Sequence, residues 1–192
     1  AVFTIDRAGG LTLKADNYEG IYDGKLHGNA ATVSVTEGTT VKYRVGADGI
    51  WSSDVPQIKD LGSMTVTVRA ENSNYTDPED VTYTLKGNPA PVTVTALPAG
   101  KVYGAADPVF IAKVDGMVKG ESLSLINYSI SRSPGEAAMV YSKGIIPAGD
   151  PLQGKYAVTY VPAVFTIDRA GGLTLKADNS EGIYERKLHG NA

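Results

Sequence analysis

Cysteine is absent from the 192 residues, so the chain can build no disulfide, thiolate nucleophile, cysteine-ligated zinc site or iron–sulfur cluster. Histidine is nearly as scarce. His27 and His189 are the only two, and they stand at the same place in two copies of a repeat, so they cannot converge on one metal within a module. The motifs GxSxG, SxxK, HExxH, GxGxxG and GxxxxGK[ST] are all missing, which removes the usual anchors of hydrolase, zinc-protease and nucleotide chemistry. No run approaches the roughly 20 apolar residues of a membrane span. The opening AVFTIDRAGG lacks the basic-then-apolar layout of a signal peptide, so a soluble chain without membrane insertion is expected. An excess of basic charge is missing too: Lys+Arg 18 against Asp+Glu 21 gives a net charge of -3, and no nucleic-acid partner is expected.

What the sequence has is repetition. Residues 1–30 and 163–192 differ only at Tyr18/Ser180, Asp23/Glu185 and Gly24/Arg186. Near-identity at an offset of 162 is the mark of tandem duplication, and the chain is expected to be a stretch of a longer array. A fainter period of 81 lies inside it. That shift places Leu11–Ala15 on Val92–Ala96, Tyr22 on Tyr103, and Asn74-Tyr75 on Lys155-Tyr156.

The local pattern is β. Thr32–Thr36, Val41–Val45, Met64–Arg69 and Val81–Leu85 alternate apolar and polar residues and are rich in Val, Thr and Tyr, as are Val92–Thr95, Val109–Val114, Tyr156–Val161 and Val164–Ile167. With Gly 22 and Pro 10 spread between the runs, the spacing predicts a mainly β chain of two small tandem modules. A sandwich-like fold is expected, with a β-grasp-like fold and a short helix around Val118–Leu125 as the alternative. The divisions are residues 1–8, the last strand of a preceding module; 9–86, the first module; 87–91, a stiff linker carrying Pro89 and Pro91; 92–169, the second module; and 170–192, the start of a next repeat. Gly171-Gly172 predicts a looser joint there than at the prolines.

Gly20–Gly28, followed by Val66–Tyr75, resembles the YDG-type repeat of bacterial surface proteins. Pro91–Ala96, Lys101–Phe110 and Gly154–Tyr160 resemble the related YGX-type MBG domain. The resemblance implies an extracellular stalk of a bacterial, adhesin-like surface protein, with neighbouring repeats as its partners and no catalytic residues. One departure stands out: Glu185-Arg186 replaces Asp23-Gly24 in the second copy, where a positive-φ turn would call for glycine.

The remaining candidates are binding residues. Tyr18, Tyr128 and Trp51, which reads first as a core residue, are the aromatics placed to stack on a host or matrix glycan, while Tyr22 and Tyr103 read as core residues bonded at the hydroxyl. Asp16–Glu19 and Asp77–Asp80 offer oxygen ligands of the kind calcium takes, although Tyr18 breaks the EF-hand pattern. Asp77–Asp80 is also the densest place for paired carboxylates, but glycoside hydrolysis needs a deep cleft, and the chain is not expected to be an enzyme or to need a cofactor. Strand edges at the two ends predict self-association by strand pairing or exchange.

Overall fold

The computed structural model describes residues 4–176. Within them the chain forms β1 (Leu13–Lys14), β2 (Tyr18–Ile21), β3 (Thr32–Val33), β4 (Thr39–Val45), β5 (Gly62–Asn72) and β6 (Val81–Asn88). Then follow β7 (Ala90–Ala96), β8 (Ala99–Val102), β9 (Ala112–Asp115), β10 (Ser129–Arg132), β11 (Val140–Ala148), β12 (Leu152–Gln153), β13 (Tyr156–Val161) and β14 (Ala163–Asp168). The protein is mainly β. Where a helix was the alternative, Leu123–Leu125 make a single 3-10 turn capped by the Ser122 side chain, and the described residues contain no α-helix to fill a grasp-like sheet.

Alternation decides which face is buried. In β5, Val66, Val68 and Ala70 point inward while Thr65, Thr67 and Arg69 do not, the period of two that a pleated strand imposes. Val66, Val68, Tyr83 and Leu85 pack with Leu13 and Tyr43 into the core of the first module. Asn72 continues the inward row at the end of β5, and its polar atoms are satisfied locally: its Nδ2 donates to the Glu37 carbonyl and Thr39 Oγ1, and its Oδ1 accepts from the Asn74 N–H.

The two modules share one topology. The first has a four-stranded sheet in the order β2-β6-β5-β4, and the second has β8-β14-β11-β10. In each, the opening strand runs parallel to the closing one, and the other pairs are antiparallel. The smaller sheets agree residue for residue. Leu13 pairs with Val33 and Val94 with Val114, each position shifted by the period of 81. In the second module the small sheet is larger, in the order β12-β13-β7-β9.

Of residues 87–91, expected as a linker, only Pro89 lies outside a strand. Pro91 sits inside β7, opposite Ala157 of β13, at a level where β9 has not yet begun to pair. Its missing N–H therefore costs no ladder bond on the β9 side.

The second module also closes over its large sheet with ions. Lys101 pairs with Asp107 at 2.7 Å and Glu136 at 2.6 Å. Arg132 contacts the same two carboxylates and lies 5.2 Å over the Phe165 ring. Asp107 thus ties the segment between β8 and β9 down onto the core. Its bonds to Lys101 and Arg132 hold its carboxyl below the ordinary value, and Asp107 in turn raises both bases.

The duplicated sequence Thr-Ile-Asp occurs in two environments. Ile167, in β14, is 2% exposed, whereas Ile5 is 85% exposed. Residues 1–3 and 177–192, including Ser180, Glu185, Arg186 and His189, lie outside the described residues. Ile167→Ala should cost about 2–5 kcal/mol, as expected for emptying a packed site. Ile5→Ala, the same change in the same local sequence, should stay within about 0.5 kcal/mol. Urea unfolding of the two variants side by side checks both.

Candidate functional site at the joint between the modules

The two modules meet through one residue, Pro89, between β6 and β7. Parallel pairing of β2 with β6 carries Tyr22 to that point, where its N–H donates to the Asn88 carbonyl at 2.8 Å. The side chain then leaves its own module. It is 6% exposed and packs within the core of the second module, beside Val92, Val94 and Tyr156. Its ring meets Tyr156 edge to face, with centroids 6.1 Å apart at 87°, an arrangement that the ring quadrupoles favour.

Glu121 stands between the two rings. The hydroxyls of Tyr22 and Tyr156 donate to its Oε1 and Oε2 respectively, and Tyr156 Oη also accepts from the Val118 N–H. Lys155 completes the group from the second module. Its Nζ lies 4.6 Å over the Tyr22 ring, reaches Tyr22 Oη at 3.3 Å and pairs with Asp60 of the first module at 2.6 Å. Leu61 adds an apolar contact to the same cluster. Gly24, at φ 79°, turns the chain where a Cβ would come within 3.4 Å of Val118.

Each charge has a physical reason for its state. The hydroxyls of Tyr156 and Tyr22 hold the Glu121 carboxyl below its ordinary value. Glu121 raises Tyr22, while burial first and Glu121 second raise Tyr156. Asp60 and Tyr22 raise Lys155, and Lys155 lowers Asp60. Charge-assisted bonds to a carboxylate are stronger than neutral ones, so the arrangement can hold two modules in one orientation.

The aromatics proposed for glycan stacking are not brought together. Tyr18 lies on β2 at one edge of the first sheet, while Trp51 follows β4 at the other. Tyr128 precedes β10 in the second module. Tyr18 stacks on His27 at 5.2 Å and 9°. The guanidinium carbons of Arg44 and Arg69 lie 4.8 and 4.6 Å from the Trp51 ring centroid. His27 also bonds Asp23 at 2.8 Å. Tyr22 is buried as expected, but in the neighbouring module's core. Tyr103 is 55% exposed, which corrects its reading as a core residue.

The oxygen-rich segments are engaged by the chain's own donors. Glu19 binds Lys86 and Asn88, Asn17 Oδ1 accepts from the Thr84 N–H, Asp77 accepts from the Asn72 N–H, and Asp80 holds Arg69. Among the described residues no three acidic or histidine side chains are grouped to hold a metal ion. Sequence reading passed over Glu121, Lys155 and Asp60. The reading of Tyr22 as a core residue bonded at its hydroxyl and the recurrence of Asn74-Tyr75 as Lys155-Tyr156 pointed toward this place.

Because the Glu121 and Asp60 carboxyls are lowered in the folded chain, what they contribute is whole above their ordinary values, 4.5 and 3.8, and fades as the pH falls through the depressed ones. Acid that protonates these two carboxylates should therefore loosen the joint. Glu121→Gln should show a looser joint already at pH 7 and a smaller response to acid. Energy transfer between dyes placed on the two modules, followed against pH, checks both.

Comparison with known families agrees with the second module. Residues 92–166 match the family model of the MBG domain (YGX type), from within β7 to within β14, so the match takes in every strand of that module. No curated protein matches the chain. The second module is therefore the part of the chain that is similar to the MBG domain (YGX type).

Proposed function

We propose that this chain is a spacer segment, part of a stalk in a large bacterial surface or secreted adhesin-like protein, that holds a distal functional domain away from its anchor. The observation that carries this reading is the joint. Pro89 is the only residue between two modules of the same topology, and Tyr22 of one is built into the core of the other. A module that keeps its neighbour's side chain in its own core gains reach from every copy added. The duplication at an offset of 162 supplies copies, and the second module's match to the MBG domain (YGX type) supports the reading.

In this reading the chain performs no reaction, needs no cofactor and works outside the cell, with neighbouring repeats as its main partners. The competing reading is a multivalent module that grips host or matrix glycans weakly. Small-angle scattering of the 192-residue chain at neutral pH should fit one fixed arrangement of the two modules. A curve that demands a broad ensemble would overturn the spacer reading. Glycan-array binding lost on Trp51→Ala would establish the competing one.

A further inference from the structure

Resting on the spacer reading, we propose that the exposed surface around Tyr103 is the seat of a YDG-type module that continues the chain from Arg169, in a second joint as short as the first. The two tyrosines hold corresponding places in the two modules. Tyr22 follows β2 and donates its N–H to the Asn88 carbonyl at 2.8 Å; Tyr103 follows β8 and donates its N–H to the Asp168 carbonyl at 2.8 Å. Asn88 and Asp168 end the closing strands β6 and β14. After the first comes Pro89 and then Ala90, which pairs with Tyr156. After the second come Arg169 and Ala170, which repeat Arg7 and Ala8.

The first copy shows what Arg-Ala does at the start of a YDG-type module. Ala8 bridges Tyr75 in parallel, its N–H bonding the Asn74 carbonyl and its carbonyl accepting from the Thr76 N–H, both at 2.8 Å. Arg7 reaches Asp77 at 3.5 Å. Pairing thus begins at the alanine, and a single arginine is left between modules. Gly9 and Gly10 come later. They lie inside the module, where Gly10 at φ 97° absorbs one more residue between Ala8 and Leu13 than β7 has between Ala90 and Val94. The looser joint expected from Gly171-Gly172 gives way to a tight one.

The surface at that place has the character of an uncovered joint. Tyr22 is 6% exposed where Tyr103 is 55% exposed, and Val102, Met139 and Val140 are exposed beside it. A cavity of about 470 Å³ opens between Tyr103, Ala138 and residues 169–173. Tyr75, the counterpart of Tyr156, is half-buried beside Ala8 and offers the ring that Tyr103 would meet.

The test uses a tandem chain, residues 1–162 followed by the full 192, at neutral pH. Because native cysteine is absent, paired cysteines carrying spin labels report each joint without background. Electron–electron distance distributions should be narrow across both joints. Tyr103→Ala should broaden the second joint alone and leave the melting temperature of the 192-residue chain unchanged, and Tyr22→Ala should broaden the first. A broad second joint beside a narrow first one overturns this inference and leaves the spacer reading standing. Breadth at both joints overturns the two together. A second joint indifferent to Tyr103→Ala also overturns the docking surface.

Discussion

Parallel pairing of β2 with β6 brings the residue after a module's opening strand beside the residue that ends its closing strand. Everything at the joint depends on that pairing. It fixes Tyr22 at the point where the chain leaves for the next module, so the side chain and the exit share one position. Antiparallel pairing would have sent the same tyrosine to the far end of the strand. The second module repeats the device with β8 and β14, although the two sequences share only a scatter of residues.

Such a joint costs little to order. Pro89 has its φ already restricted, and strands continue directly on either side of it, so few backbone torsions remain to be fixed when the modules dock. The Tyr22 ring brings apolar area, and its hydroxyl finds a charged acceptor that is shared with Tyr156. Glu121 therefore satisfies two phenols from opposite sides of the boundary, which excludes slippage more effectively than apolar contact alone.

Local periodicity carried the fold. Val66, Val68 and Ala70 announced their inward face through the alternation around them, and the faint period of 81 proved to be a shared topology, with Leu13 and Val94 in the same register. The joint was another matter. Tyr22 and Glu121 are 99 positions apart, and no short pattern links a tyrosine to a carboxylate at such a distance. Pro89 and Pro91 read as a linker because proline disfavours ladders, yet Pro91 tolerates β7 where no β9 partner lies opposite. Trp51, set among Asp48, Ser52 and Asp54 in the sequence, read as a core residue or a stacking surface; it is half-buried, and Arg44 and Arg69, brought alongside by β4 and β5, lie over its ring.

The direct passage from β6 through Pro89 into β7 has a mechanical consequence. Tension drawn along the chain would enter the second module at Ala90 and leave it at Asp168. Ala90 begins a strand held in parallel register with β13 from Tyr156 to Val161, and Asp168 ends one flanked by β8 and β11. Force applied along these strands strains many hydrogen bonds at once, in shear, instead of peeling them one by one. A pull that separates the modules must also drag Tyr22 from a neighbour's core before any strand of that neighbour yields.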